Sequence, residues 1–217
     1  MKISNFKLGI GLPTIESKVA LQFMTSFITL QAPDYTLLLP SFPLGNFPRE
    51  ITMVRNNLVR QAFDDRCSHL LMMDTDQAYY TQDMIPKMLA HKVPVVSAPV
   101  HRRYPPFDPI LLRGDADTFT RIPDEEAYSG GLIKVDATGT GCILYEMSVF
   151  ETIRGPWFEF KESKSGKTIG EDINFCIKMK EAGIPLYVDT SIVIGHLSMF
   201  EVNRDTHMFF KAMYGVK

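Results

Sequence analysis

Short apolar runs recur along the chain, and each ends at a polar or turn-forming residue. The clearest run, residues 69–73, leads straight into Asp74 and Asp76. Similar runs occupy residues 6–12, 35–39, 93–98, 132–137, 142–145 and 186–188. Continuous apolar runs of this length are typical of strands buried on both faces of a sheet. We therefore predict a strand in each, with another at 192–194 and one or two short strands within 110–122.

Between the apolar runs, hydrophobic residues recur at helical spacing. The pattern predicts helices at about 18–30, 49–65, 81–91, 147–153, 171–182 and 201–214. The last helix carries Met208, Phe209, Met213 and Tyr214, and we expect these side chains to dock on the body of the protein. Alternating strands and helices are typical of an α/β fold with a mostly parallel sheet. At 217 residues, and with no internal repeat, the chain is expected to form a single domain spanning 1–217.

Composition narrows the class of protein. The net charge is −2, so no overall basic field favours nucleic acid or an anionic membrane. The apolar stretches are much shorter than the ~20 residues that cross a bilayer, and we expect no transmembrane segment. Cys67, Cys142 and Cys176 are widely spaced in apolar sequence, which favours buried, reduced thiols over a disulfide or zinc site. These features together predict a cytoplasmic protein.

Two carboxylates follow the most apolar strand. In α/β sheets, ligands bind beyond the carboxyl ends of the strands, which is where Asp74 and Asp76 fall. In an extended chain, residues i and i+2 share one side, so both carboxylates can face one cation. The alternative is that Asp-Thr-Asp is only a polar turn that closes the strand.

An arginine lies within the apolar face of the predicted second helix. Arg55 falls close to the stripe formed by Ile51, Val54 and Leu58. An inward guanidinium needs an acceptor, because burying it unpaired is costly. It could meet Asp74 or a phosphate at the sheet edge. Alternatively, its stem packs while its head reaches outward to solvent.

Other candidates also sit where elements begin or end. Arg102 and Arg103 follow the strand at 93–98, where a guanidinium fork matches phosphate oxygens, although ordinary surface charge explains them equally. Glu171 and Asp172 open a helix, which the helix dipole by itself accounts for. His196 follows a late strand, and a lone histidine there is more often structural than a ligand.

Several short motifs follow one another along the chain in a characteristic order. They are Pro13-Thr14, Arg55-Asn56-Asn57, Asp74-Thr75-Asp76, a Gly-rich segment before Cys142, Gly170-Glu171-Asp172, and His196. This order resembles the family 2-like, GT-A-fold glycosyltransferases over nearly the whole chain. The resemblance implies a Rossmann-like, three-layer α/β/α sandwich around a mostly parallel, mixed central sheet. It also implies a donor-binding half at about 1–100, an acceptor and catalytic half at about 101–200, and a C-terminal helix at about 201–217.

The resemblance further implies a role for each candidate residue. Asp74, Asp76 and His196 would hold Mn²⁺ or Mg²⁺, and Asp172 would be the catalytic base, with Glu171 as the alternative. The donor would be a UDP- or GDP-sugar. Its expected contacts are Pro13, Thr14, Glu16, Arg55, Asp74, Thr75, Asp76, Arg102, Arg103 and Gly139.

The expected activity is metal-dependent transfer of one sugar from a nucleotide-diphospho-sugar to an acceptor hydroxyl. Inversion at the anomeric carbon is favoured, although some metal-dependent members of this fold retain. The acceptor, which could be a small molecule, a lipid, a protein or a modified nucleic-acid base, would be held by residues 157–167 and the Gly139 turn.

Two other functions remain open at this level. A sugar-phosphate nucleotidyltransferase also uses a Rossmann-like sheet and paired carboxylates. Such enzymes usually carry a basic residue in the loop after the first strand, and here none occurs before Lys18. A non-catalytic nucleotide- or glycan-binding module of the same fold is the other alternative.

Overall fold

The structure is a computed structural model that describes residues 6–16, 18–40, 50–199 and 201–215. Its helices are α1 (Leu21–Ile28), α2 (Ile51–Asp64), α3 (Met84–Ala90), α4 (Asp124–Ala127), α5 (Met147–Thr152), α6 (Glu171–Glu181) and α7 (Arg204–Tyr214). Its strands are β1 (Leu8–Gly11), β2 (Tyr35–Leu38), β3 (His69–Met73), β4 (Gln77–Ala78), β5 (Val95–Ser97), β6 (Leu111–Arg113), β7 (Thr120–Arg121), β8 (Leu132–Val135), β9 (Ala137–Thr138), β10 (Cys142–Glu146), β11 (Lys161–Glu162), β12 (Thr168–Ile169), β13 (Leu186–Asp189) and β14 (Gly195–His196).

The central sheet is mixed. Within the described ranges, its seven strands lie in the order β2-β1-β3-β10-β5-β13-β8. Strands β1, β2, β3, β5 and β13 run in one direction, whereas β10 and β8 run in the other. The predicted mixed, mostly parallel α/β sheet is confirmed. The reversed strand β10 lies beside β3, so the segment that precedes β10 meets the residues that follow β3.

A separate hydrophobic core covers each face of this sheet. Leu70 and Met72 face a core that contains residues of α2, α5 and α6. Leu71 and Met73 face a second core, together with residues of α1 and α3. Successive side chains of a strand point to opposite faces, so a strand between two cores must be apolar at every position. This explains the unbroken apolar run at 70–73 and confirms the three-layer α/β/α sandwich.

Most predicted elements are present, with shifted ends. The helix expected from residue 18 begins only at Leu21, after Ala20 in extended conformation. The expected start of the second helix at Arg49 lies outside the described residues, and α2 begins at Ile51. The strand predicted at 192–194 is wrong. Its place is taken by β14, two residues long, which pairs antiparallel with β4 and sets His196 opposite Gln77.

The C-terminal helix forms, but it does not dock as predicted. None of the residues of α7 is buried against the described part of the chain. Its N-terminus is stabilised locally instead, because Asn203 and Thr206 form a reciprocal capping box.

Two predictions from composition can be compared with the structure. Cys67, Cys142 and Cys176 are all buried and free, as expected. Across the described residues, no helix is both long enough and apolar enough to pass through a bilayer.

Candidate active site

A cleft of about 710 Å³ opens at the carboxyl edge of the central sheet. All the site residues predicted from the sequence line this one cleft. They are Pro13, Thr14, Glu16, Arg55, Asp74, Thr75, Asp76, Arg102, Arg103, Gly139, Glu171, Asp172 and His196. Residues up to 183 positions apart therefore come together. The parallel strands β1, β3 and β5 end at this edge, and Gly139 lies in the segment before the reversed strand β10.

Asp76 and His196 form a pair in the cleft. Nε2 of His196 lies 3.4 Å from Oδ2 of Asp76. The other ring nitrogen, Nδ1, lies 2.6 Å from the carbonyl oxygen of His101. A carbonyl can only accept, so Nδ1 carries a proton and Nε2 is the nitrogen directed at Asp76. Burial lowers the pKa of His196, but Asp76 and the His101 carbonyl outweigh it and raise that pKa overall.

This pair fits a divalent cation. A carboxylate oxygen and an imidazole whose second nitrogen is held by a carbonyl are common ligands of Mn²⁺ and related ions. Oδ1 of Asp76 is buried and has no hydrogen-bond partner among the described residues. Arg103 also approaches, with Nη1 3.1 Å from Oδ2 of Asp76. Although burial raises the pKa of Asp76, His196 and Arg103 lower it below its ordinary value.

The predicted set of three metal ligands is not assembled. Within the described ranges, no group of three or more His, Cys, Asp or Glu side chains is arranged to hold a metal. Asp74 faces a different partner, because Nη2 of Arg55 lies 2.9 Å from Oδ1 and 3.0 Å from Oδ2 of this carboxylate. Both oxygens of Asp74 are thus taken by the guanidinium, and Asp76 with His196 is the pair that fits a cation.

Arg55 is buried, which settles one alternative left open by the sequence. Its side chain is only 4% exposed, and Nε lies 3.3 Å from Oε1 of Glu171. The guanidinium also lies over the ring of Phe158, 5.9 Å from the centroid. Burial lowers the pKa of Arg55, but the charges of Asp74, Glu171 and Asp172 outweigh this and raise it. The head therefore points inward and stays protonated.

The two acids at the start of α6 differ in their surroundings. Glu171 is paired with Arg55, whereas among the described residues no cation forms an ion pair with Asp172. Asp172 accepts a hydrogen bond from the backbone N–H of Ile173 at 2.7 Å. Burial, and then the charge of Glu171, raise the pKa of Asp172 to about 6. A carboxylate with this pKa is ionised at neutral pH and still basic enough to accept a proton.

The remaining predicted residues form the rim and floor of the cleft. The Thr14 hydroxyl accepts from the backbone N–H of Glu16 at 3.1 Å, which closes the turn after β1. Arg102 donates to the hydroxyl of Tyr104, and its guanidinium lies 5.6 Å from the centroid of that ring. Gly139 packs against Val100 and Ile110, where a Cβ would approach their side chains to 3.3–3.5 Å. Contact of these residues with a donor stays a prediction.

Sequence reasoning missed several residues of this site. His101 supplies the carbonyl that orients His196, and no side-chain motif signals a backbone contact. Thr140 lies on the floor of the cleft with a buried hydroxyl, and Gln77 lies behind Gly141 with a buried amide. Neither polar group has a partner among the described residues. Tyr104 lines the cleft with an exposed ring, and its place directly after the predicted arginine pair could have signalled it.

The expected acceptor loop is arranged differently from the prediction. The indole nitrogen of Trp157 donates to the carbonyls of Phe150 and Ile153, at 3.0 and 2.7 Å. Its ring packs on the rings of Phe63 and Phe150, so Trp157 joins the core instead of the cleft. The segment after it closes as the β11–β12 hairpin. No residue of the range 157–167 is among the described residues that line the cleft.

Comparison with known proteins shows similarity in structure only. No protein-family profile and no curated protein sequence matches the chain. Among solved structures, A197 from STIV matches with a TM-score of 0.60 and 15% identity, covering 88% of this chain and 86% of that one. TarS from S. aureus, solved with UDP-GlcNAc, matches with a TM-score of 0.55 and 14% identity, covering 93% of this chain.

A further match is GalNAc-T7, solved with UDP, GalNAc and Mn²⁺, with a TM-score of 0.54 and 11% identity over 89% of this chain. This chain spans 60% of the TarS structure and 44% of the GalNAc-T7 structure. Identities this low establish the architecture and nothing finer. The chain has the GT-A-like fold of nucleotide-sugar glycosyltransferases.

Proposed function

We propose that this protein is a metal-dependent glycosyltransferase that transfers one sugar from a nucleotide-diphospho-sugar to an acceptor hydroxyl. The observation that carries the proposal is that one cleft contains both a pair of side chains that fits a cation and a separate carboxylate that can accept a proton. The Asp76–His196 pair fits a cation, and Asp172 lines the same cleft as a carboxylate without a cationic partner among the described residues. The fold, shared with TarS in complex with UDP-GlcNAc and with GalNAc-T7 bound to UDP and Mn²⁺, supports it.

Asp76 and His196 would hold the cation, which is Mn²⁺ or Mg²⁺. When bound there, it would supply positive charge against the negative charge that grows on a nucleoside diphosphate leaving group. The imidazole favours Mn²⁺, since Mg²⁺ prefers oxygen ligands. Arg102 and Arg103 at the rim add positive charge, and Thr14 and Gly139 lie where the donor would be enclosed.

Asp172 would act as the general base. The acceptor hydroxyl must lose its proton as its oxygen attacks the anomeric carbon, and a positioned carboxylate accepts that proton. Glu171 is less suited to this step, because Arg55 holds it. A carboxylate that deprotonates the acceptor directly favours inversion at the anomeric carbon.

The donor can be identified by thermal denaturation with a panel of UDP- and GDP-sugars, each with and without Mn²⁺. A bound donor stabilises the folded state by mass action, so one donor class should raise the melting temperature only with metal present. Asp76→Asn should remove this shift. Absence of any metal-dependent shift across the panel would overturn the proposal.

The reaction can be identified by its product. With the donor found in this way, transfer to an acceptor releases a nucleoside diphosphate, whereas a nucleotidyltransferase acting on a nucleoside triphosphate releases pyrophosphate. Asp172→Asn should retain donor binding and lower turnover about 10²- to 10⁴-fold. Glu181→Gln, at the exposed far end of the same helix, is the matched control and should leave turnover unchanged. Full turnover in Asp172→Asn would remove this residue from the mechanism.

A further inference from the structure

We propose that Arg55 is a positioning residue that fixes Asp74 and Glu171 as paired anions and does not itself contact the donor phosphates. The carboxylates of Asp76 and Asp172 are then the ones left for the cation and for the acceptor hydroxyl. This inference deepens the proposed function and rests on it for the roles of those two acids.

Arg55 joins three elements that are far apart in sequence. It projects from the inward face of α2, Asp74 follows β3, and Glu171 is the first residue of α6. Two of its nitrogens make three contacts: Nη2 donates to both oxygens of Asp74, and Nε donates to Oε1 of Glu171. A planar guanidinium carries donors on three nitrogens in fixed directions, whereas an ammonium carries all its donors on one atom. The same group therefore sets the position of the turn after β3 and of the start of α6.

Asn56, the residue after Arg55, keeps α2 in the orientation that the contacts of Arg55 require. Nδ2 of Asn56 donates to the carbonyl of Phe158 at 2.7 Å, and Oδ1 accepts from the backbone N–H of Trp157 at 2.9 Å. Asn56 thus ties the helix to the backbone of residues 157–158. The ring of Phe158 lies under the guanidinium, which restricts its movement on that side.

The remaining donor of Arg55 is enclosed. Nη1 is buried and has no hydrogen-bond partner among the described residues. Nη1 has almost no accessible surface for a phosphate oxygen to contact. An oxygen that bound Nη2 or Nε instead would have to displace Asp74 or Glu171, and the freed carboxylate would lose its buried partner. That exchange is costly, because an unpaired buried charge is strongly destabilising. A contact with the diphosphate is therefore disfavoured, contrary to the expectation from the sequence.

Arg55 also sets the electrostatic surroundings of Asp172. The charged groups that act on Asp172 are Glu171, Arg55 and Asp74. Tyr145 and Cys176 also face it, and the charge of Asp172 helps to raise the pKa of each of these buried groups. Burial and Glu171 raise the pKa of Asp172, whereas Arg55 lowers it. Removing the charge of Arg55 should therefore raise the pKa of Asp172, and removing the charge of Glu171 should lower it.

The test is an NMR titration of the Asp172 carboxyl carbon, which needs neither substrate nor metal. Arg55→Gln should raise its midpoint by about 1 pH unit, as expected for loss of a neighbouring cation. Glu171→Gln should lower the midpoint, because a like charge is removed, and this variant keeps the Arg55–Asp74 pair that supports folding. His91→Gln is the matched control, since it removes the partner of another buried acid, Asp189, and should leave the Asp172 midpoint in place.

Two further readouts separate positioning from phosphate binding. Arg55→Lys keeps the charge but not the two-directional donors, so kcat should fall at least 10-fold while the KM for donor stays within about 2-fold. Calorimetric titration with UDP or GDP and Mn²⁺ should give the wild-type Kd in this variant. A Kd weakened 10-fold or more would identify Arg55 as a phosphate ligand and overturn the inference.

The inference about Arg55 would also be overturned if the titration midpoint of Asp172 moved in neither Arg55→Gln nor Glu171→Gln. If Arg55→Gln does not fold, the kinetic and calorimetric readouts of Arg55→Lys decide. Wild-type protein without turnover on any donor would overturn the proposed function instead, and the titration would still decide whether Arg55 organises these acids.

Discussion

At the scale of single residues, the site depends on which carboxylates are paired. Asp74 and Glu171 share Arg55, Asp76 meets His196, and Asp172 has no cationic partner among the described residues. The residue types were visible in the sequence, which also offered Asp74 as one of two partners for Arg55, but the other pairings were not visible. Asp74 and Asp76 follow the end of β3 and lie in a turn, where the alternation of an extended strand no longer applies. They therefore face different partners.

The pH dependence of turnover follows from Asp172. Its pKa is raised to about 6, so the base is ionised above this value and protonated below it. We expect kcat/KM to be constant above pH 7 and to fall tenfold per pH unit well below pH 6, in the absence of other titrating groups. The measurement is initial rate against pH at saturating Mn²⁺. An acid limb near pH 4, the ordinary value of an aspartic acid, would contradict the assignment.

Cation binding should depend on Asp76 and His196 and not on Asp74 directly. Either Asp76→Asn or His196→Ala should abolish the binding of Mn²⁺ measured by electron paramagnetic resonance, since each removes one of two protein ligands. Glu162→Gln, on the exposed β11–β12 hairpin, is the control and should bind as wild type. Unchanged Mn²⁺ binding in His196→Ala would exclude the imidazole as a ligand.

At the scale of elements, the pairing of β4 with β14 builds the site. These strands are two residues long, and their register sets His196 opposite Gln77, the residue after Asp76. The sequence predicted a strand at 192–194 because those residues are apolar. The residues that form β14 are Gly and His, which carry no strand pattern of their own. Pairing with a partner strand, and not local preference, decides their conformation.

The C-terminal helix gives a prediction at the same scale. No residue of α7 is buried against the described part of the chain, so its removal should cost little stability. We expect a chain that ends at residue 202 to have a melting temperature within about 2 °C of the full chain, because exposed surface contributes little to folding. Calorimetry of both chains tests this. A large decrease would show that α7 packs on the body in solution.

At the scale of the whole molecule, stability comes from the two cores on either side of the sheet. Phe175 on α6 is fully buried and packs against the rings of Tyr145, Phe150 and Phe158. This cluster supports α6, the helix that carries Glu171 and Asp172 at its first turn. Its packing therefore positions the acids as well as contributing to the fold.

A matched pair of substitutions measures this contribution. Phe175→Ala should lower the free energy of unfolding by about 3–5 kcal/mol, because it removes a fully buried ring and leaves a cavity. Phe209→Ala, at a position 63% exposed on α7, should change it by less than about 0.5 kcal/mol. Denaturant unfolding of both variants gives the comparison. Equal losses would contradict the assignment of the core.

The sequence by itself determined the α/β class, most of the elements and many of the residues that line the cleft. The spacing of apolar residues predicts which positions are buried. Polar residues directly after predicted strands indicate the edge of the sheet at which those strands end. Arg55 was identified as a candidate from its position on a helix. Asp172 was assigned a role only through the resemblance to GT-A-fold glycosyltransferases, because the helix dipole alone accounts for an acid at that position.

Only the tertiary structure decided the partners of these residues. Contacts between distant segments place β10 beside β3, form the two-residue strand β14 and direct the His101 carbonyl at His196. The exposure of α7 likewise depends on where the rest of the chain folds. Local patterns carry no record of such contacts, because a side chain's partner is set by where other parts of the chain fold. The burial of a residue can be predicted from its type and its spacing along the chain. A contact between two residues can be known only when the folded positions of both are known.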